Sequence, residues 1–177
     1  MRKSAVAVAL IVGGAWFNAG AQEGPGLGVV ATSEQVAGWD VSIGPDGAGL
    51  PAGSGTAAAG KTVYEAKCVA CHGVDGAGRP NDQLVGGQGT IRDAAPIRTV
   101  GSYWPYATTL FDYMRRAMPY VTPHSLSADE TYSLTAYLLA LNGVIGQTDV
   151  MNASTLPKVS MPNRGNFDNA YREPRRR

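Results

Sequence analysis

The fold class predicted for this chain is mostly α, with an irregular Gly/Pro-rich arm before the helices and an extended tail after them. Three observations predict it. Three segments place apolar residues at helical spacing between recognisable start and stop signals. The 177 residues include 23 glycines and 11 prolines, a share that implies long ordered loops and little regular β-structure. The helices also supply a small core for a chain of this length, so something other than side chains is expected to fill the middle of the domain.

Charge excludes one class of partner at once. The net charge is +1, from 15 basic and 14 acidic residues, which is no strongly basic footprint for nucleic acid. At the N-terminus Arg2 and Lys3 precede an apolar stretch from Ala5 to Phe17, and Ala19-Gly20-Ala21 forms an A-x-A cleavage site. Residues 1–21 therefore read as a secretory signal peptide cleaved before Gln22. The apolar stretch is too short to span a bilayer comfortably, and no later segment is apolar enough to try. A soluble, exported protein is expected. Removing Arg2 and Lys3 leaves 13 basic against 14 acidic residues. Because Arg172, Arg175, Arg176 and Arg177 gather at the end, a mildly acidic body carries a basic tail.

Residues 22–56 form the Gly-rich arm. It contains one short helix from Ser33 to Trp39, with Ser33 as N-cap, and a turn at Gly44-Pro45-Asp46-Gly47. It is expected to lie on the domain surface with Trp39 as its anchor. The domain proper spans 57–146. Its first helix runs from Ala57 to Ala70, with Val63 and Tyr64 inward and the Lys67 stem along the edge; Tyr64 is expected between the first and third helices. A long loop follows from Gly73 to Gly101, a length that usually means function or folding around something. The second helix runs from Pro105 to Ala117, with Pro105 at its first position and Leu110, Phe111 and Met114 on its apolar face. The third opens on the capping box Ser127-Ala128-Asp129-Glu130 and closes at Asn142-Gly143. Residues 147–177 lose periodicity and read as an unanchored polar tail.

The chemistry sits at Cys68-Val69-Ala70-Cys71-His72. This is C-x-x-C-H, the attachment pattern of a c-type haem. Two cysteines three apart bond the two vinyl groups of one haem, and the adjacent histidine reaches the iron from the same side. The haem becomes the missing core. A dithiol redox centre lacks its strand–helix context and does not need His72. Zinc needs four ligands, and the chain holds two Cys and two His. A disulfide across two residues is strained and closes almost no loop.

The second axial ligand is sought among Met114, Met118, His124, Met151 and Met161, with an open position as a further alternative. Met118 leads, because Pro119 stops the helix directly behind it and presents the side chain from a fixed turn. His/Met ligation fills both axial positions and raises the potential, which suits electron transfer and leaves no place for substrate. Arg98, Tyr103 and Trp104 are candidate haem contacts, Arg98 by pairing with a propionate and the aromatics by packing or donating to one. Pro80 or Pro96 is expected to offer a carbonyl to the other ring nitrogen of His72.

The order helix, C-x-x-C-H, loop, Met, helix resembles class I cytochromes c over residues 57–145. The strings SYWPYATTLFDY (102–113), RRAMPY (115–120) and TLPKVSMPNR (155–164) extend the likeness to about 27–167. Over that span the chain resembles the cytochrome subunits of bacterial sulfite dehydrogenases and of sulfane dehydrogenase in the sulfur-oxidation system. The resemblance implies a periplasmic electron acceptor, no enzyme by itself, paired with a molybdopterin-containing catalytic subunit and reducing a further cytochrome or oxidase. It also implies Cys68 and Cys71 as thioether sites, His72 as proximal ligand and Met118 as distal ligand. A single haem motif favours the sulfite over the dihaem sulfane relatives. The alternatives are a freely diffusing carrier with no fixed dehydrogenase, and a haem sensor or peroxidase with an open iron.

Overall fold

The computed structural model describes residues 26–167, so the expected signal peptide and the arginine-rich end lie outside the described residues. The chain divides into two units at Trp39/Asp40. The first contains α1 (Ser33–Trp39), in which no residue is buried, Trp39 included. Its start differs by one residue from expectation. Thr32 is the cap: its Oγ1 accepts from Gln35 N–H at 3.2 Å, and Gln35 Oε1 accepts from Thr32 N–H at 2.9 Å. That reciprocal pair makes Ser33 the first helical residue.

The second unit begins within what reads as arm. The expected turn is present, closed by Gly47 N–H to Gly44 O at 2.9 Å. Ile43, just before it, is buried and donates its N–H to Asp112 Oδ1 at 3.2 Å. Strand β1 (Ser54–Thr56) then runs directly into α2 (Ala57–Lys67), and Thr56 caps that helix by accepting from Ala59 N–H at 3.3 Å. Instead of one helix to Ala70, the chain breaks at Cys68, whose φ of −123° is not helical, and restarts as α3 (Val69–His72). The Cys68 carbonyl accepts from both Cys71 and His72 N–H, at 3.1 and 3.0 Å, which winds a new turn around the motif.

Helix α4 (Ala107–Ala117) starts two residues after Pro105, because Tyr106 is still extended and serves as N-cap. Its expected face holds: Leu110, Phe111 and Met114 are buried. It stops at Met118 for the expected reason. A residue before proline is pushed out of the helical region, and Met118 has φ −119° and ψ 149°. Helix α5 (Ala128–Leu141) opens on the predicted capping box, with Ser127 and Glu130 exchanging bonds of 3.2 and 3.0 Å. Every residue from Thr131 to Ala140 is buried, as in a helix enclosed on all sides. It packs against α2, α4 and β1, with Phe111 and Tyr132 rings 4.5 Å apart and Tyr64 and Tyr137 rings 5.4 Å apart. Tyr64 thus lies between α2 and α5, as expected.

The expectation of an unanchored tail is corrected. Strand β2 (Val150–Asn152) pairs antiparallel with β1, Met151 opposite Gly55. Met151, Leu156 and Met161 are core residues. The tail has too few apolar residues to form a periodic element, so its anchorage is tertiary: isolated side chains seated on a surface that α4 and α5 already provide. The β-structure is limited to these two three-residue strands among the described residues.

Lys67 at the end of α2 bonds Glu130 at the start of α5, 2.6 Å apart. That bond, with the Ser127 N–H, holds the Glu130 carboxyl below its ordinary value of 4.5. The stabilisation is therefore present above about pH 4.5 and lost as pH falls through the lowered value. With both side chains about a third exposed, screening limits it to about 0.5 kcal/mol. Urea unfolding of Lys67→Met should differ from the parent by that amount at pH 7 and coincide with it in strongly acidic buffer.

Candidate functional site

A cavity of about 440 Å³ opens between the C-x-x-C-H turn, the long loop, α4 and α5. Cys68, Cys71 and His72 form one wall. Leu110, Met114, Leu134 and Leu138 form an apolar floor, and Met118, Trp104 and Arg98 line it as well. Its lining runs from buried residues of α4 and α5 to Cys71, Tyr120 and Val121, which are exposed.

The motif is held by its own backbone and by the loop after it. Gly73 has φ +73°, and a Cβ there would press on Gly78; a side chain at this position would unwind the turn. Beyond it, Gly78 N–H bonds His72 O and Asn81 N–H bonds Cys71 O, both at 2.8 Å. Tyr64 OH donates to Gly73 O at 2.8 Å, and Tyr137 OH to Asp75 Oδ1 at 2.8 Å. The middle of the loop is tied to the end of α5 through Asn142, which is buried. Its Oδ1 accepts from Gly86 N–H at 3.0 Å, and its Nδ2 donates to Leu84 O at 3.1 Å and Leu138 O at 2.8 Å.

His72 Nδ1 lies 2.8 Å from the Asp82 carbonyl. A carbonyl only accepts, so Nδ1 carries the proton and Nε2 keeps its lone pair. The partner is Asp82, and neither Pro80 nor Pro96 as expected. Which carbonyl turns inward depends on how the loop folds. Both cysteines are free. Burial pushes the Cys68 thiol up to about 11, the reverse of the lowered thiol a dithiol redox centre uses. Among the described residues no three His, Cys, Asp or Glu side chains gather into a metal-binding group.

Of the five axial candidates, Met114 and Met118 line the cavity. Met151 and Met161 are buried in the core elsewhere, and His124 is exposed on a turn with φ +62°. Arg98 and Trp104, read from the sequence as candidate haem contacts, line the cavity. Tyr103 is not among the lining residues; its ring meets Phe167 edge-on at 5.6 Å. It sits in a tight turn, its N–H donating to Thr99 O at 3.0 Å. Asp82, Asn142, Tyr137 and Asp75 are site-building residues that sequence reasoning missed. Each makes at least one hydrogen bond to a residue ten or more positions away in the chain, and spacing carries no signal of that.

The Cytochrome c family model matches residues 57–142. A chain in the crystal structure of the sulfane dehydrogenase SoxCD from Paracoccus pantotrophus is 38% identical, with a TM-score of 0.79, covering 84% of this chain and 73% of that one. This chain belongs to the cytochrome c family. No curated protein matches it. As a cytochrome c it carries covalently bound haem c, and its role is electron transfer. The residues present fit that group: two free thiols three residues apart, a histidine whose Nδ1 faces a carbonyl, two thioethers, and a largely apolar cavity bearing one guanidinium.

Proposed function

We propose that this cytochrome accepts electrons from a molybdenum-containing sulfite or sulfane dehydrogenase catalytic subunit in the periplasm and passes them to the respiratory chain. The supporting observation is the likeness to a chain of a sulfane dehydrogenase structure over 84% of the present chain. That coverage exceeds the family domain at 57–142, so it takes in arm or tail segments that a general cytochrome c does not need. The export reading of residues 1–21 supports the compartment.

Haem c supplies a reversible one-electron iron couple when bound. In this reading Cys68 and Cys71 would hold it by thioether bonds, and His72, through Nε2, and Met118 would bind its iron. The Asp82 carbonyl fixes the His72 tautomer and sharpens its basicity. Arg98 would offset a propionate charge, and Trp104 would supply an apolar contact to the group. Leu110, Leu134 and Leu138 keep water from the site, which holds the potential up by disfavouring the more charged oxidised state. Oxidation of sulfite to sulfate releases two electrons, so the partner delivers them to this chain one at a time.

The test uses tagged protein purified gently from its own periplasm, oxidised, and mixed with sulfite while visible absorbance is followed. Rapid reduction that vanishes when a co-purified large subunit is stripped away is the expected result. Protein that stays oxidised, with no molybdenum subunit attached, moves the reading to a freely diffusing carrier.

A further inference from the structure

Asn142 directly follows α5, is buried, and is not among the residues that line the cavity. An asparagine amide offers two donors and an oxygen with two lone pairs, and here all are used. Nδ2 donates to Leu138 O at 2.8 Å and to Leu84 O at 3.1 Å. Oδ1 accepts from Gly86 N–H at 3.0 Å and from Gln88 Nε2 at 3.3 Å. Carbonyls only accept and N–H groups only donate, so these partners fix which way the amide faces. The bond to Leu138 is enough for an asparagine that ends a helix. The other three reach 54 to 58 positions back along the chain, and ending α5 does not account for them.

Leu84 is where this side chain meets the motif. Its N–H donates to Gly76 O at 2.8 Å, and its carbonyl accepts from Val100 N–H at 3.2 Å as well as from Asn142. Gly76 and Val100 belong to the loop itself, so among these partners Asn142 alone ties Leu84 to a packed helix. Two positions before Leu84 stands Asp82, whose carbonyl faces His72 Nδ1 at 2.8 Å. Asp82 is exposed, so packing does little to hold that carbonyl. Its neighbours hold it instead: Asn81, whose N–H bonds Cys71 O at 2.8 Å, on one side, and Leu84 on the other.

We infer that Asn142 is a positioning residue for His72: through Leu84 it holds the Asp82 carbonyl against Nδ1, and so sets how strongly the imidazole donates to iron. The inference rests on His72 as an iron ligand and not on the identity of the electron donor. A hydrogen bond from Nδ1 makes the imidazole a stronger base, which favours oxidised iron. Loss of the Asn142 tie weakens that bond, so the midpoint potential rises. Water admitted by a loosened loop acts the other way and lowers it. The sign separates positioning from lost packing.

The test uses haem-loaded protein, with the midpoint potential read by redox titration and exchange of the His72 Nδ1 proton by NMR of the reduced state. Asn142→Asp keeps the shape and the Oδ1 acceptor but has no N–H for Leu84. Its potential should lie above the parent's, and the Nδ1 proton should exchange about fivefold faster, the factor that one ordinary hydrogen bond contributes. Gln88→Leu removes bonds to Asn142 but leaves the one to Leu84, and should match the parent in both readings. Leu156→Ala empties a fully buried site in the tail, which lowers stability without breaking this chain of bonds, and should match as well. If Asn142→Asp does not take up haem, Asn142→Ser replaces it, because serine bonds the carbonyl four residues back in its own helix but is too short for Leu84. Parent-like exchange in the Asn142 variant overturns the inference and leaves Asn142 as a helix end. A potential at or below the parent's, or equally fast exchange in Leu156→Ala, overturns it too and assigns the effect to general loosening. His72 ring protons unshifted by the haem in the parent overturn the ligand assignment, and the inference with it.

Discussion

Gly60→Ala is expected to destabilise the protein by about 3 kcal/mol and to lower the yield of haem-loaded protein. Gly60 lies in α2 where that helix crosses α5. A Cβ there would collide with the Ser133 carbonyl and come within 2.7 Å of Tyr137 Cβ. Alanine is the better helix former by about 1 kcal/mol, so propensity alone predicts the opposite sign. The collision wins because its partners are backbone and the root of a buried side chain, neither of which can swing aside. Separating the helices also pulls on Tyr64, whose hydroxyl holds Gly73 beside the motif. Gly143→Ala is the control. Nothing lies within 4 Å of its added Cβ, and only the φ of +67° opposes it, at about 1 kcal/mol. Urea unfolding of both variants measures the contrast. Equal losses would mean that α2 and α5 have room to adjust.

Met118→Ala is expected to lower the midpoint potential by roughly 0.2 V, a fraction of the ~0.8 V that axial ligands span. Thioether sulfur favours reduced iron, so its loss favours oxidised iron. Met114→Ala separates ligand from lining. Both methionines line the cavity, but Met114 is buried on the inner face of α4, whereas Met118 stands in an extended conformation past the helix end. Met114→Ala should therefore cost about 3 kcal/mol in stability from the space it leaves, with a much smaller potential change. Redox titration and urea unfolding of the two proteins give the answer. An unchanged potential in Met118→Ala, with the fall appearing in Met114→Ala, would transfer the ligand role to Met114.

The α5 capping box, the helix stop at Met118-Pro119 and the C-x-x-C-H turn were legible because each is a rule about neighbours in sequence. A serine three residues before a glutamate, a residue before proline, and two thiols beside a histidine act over one turn of chain. The Cys68 break was less legible, because the motif's own bonds outcompete continuation of α2. Tyr103 and the Asp82 carbonyl were misread for one reason: which way a side chain or carbonyl turns in an irregular loop is decided by what it meets.

The sequence by itself determined the attachment chemistry, the three main helices and the short list from which the second iron ligand must come. Those depend on local sterics, hydrogen bonding within a few residues, and periodicity. Only the tertiary structure decided that Met114 and Met118 share the cavity with His72 while Met151 and Met161 do not. It also decided that the tail is part of the domain, and that the loop is tied down by Asn142, Tyr64 and Tyr137. These are contacts between residues far apart in the chain. They form only after α2, α4 and α5 have packed, and no pattern of residue types announces them beforehand.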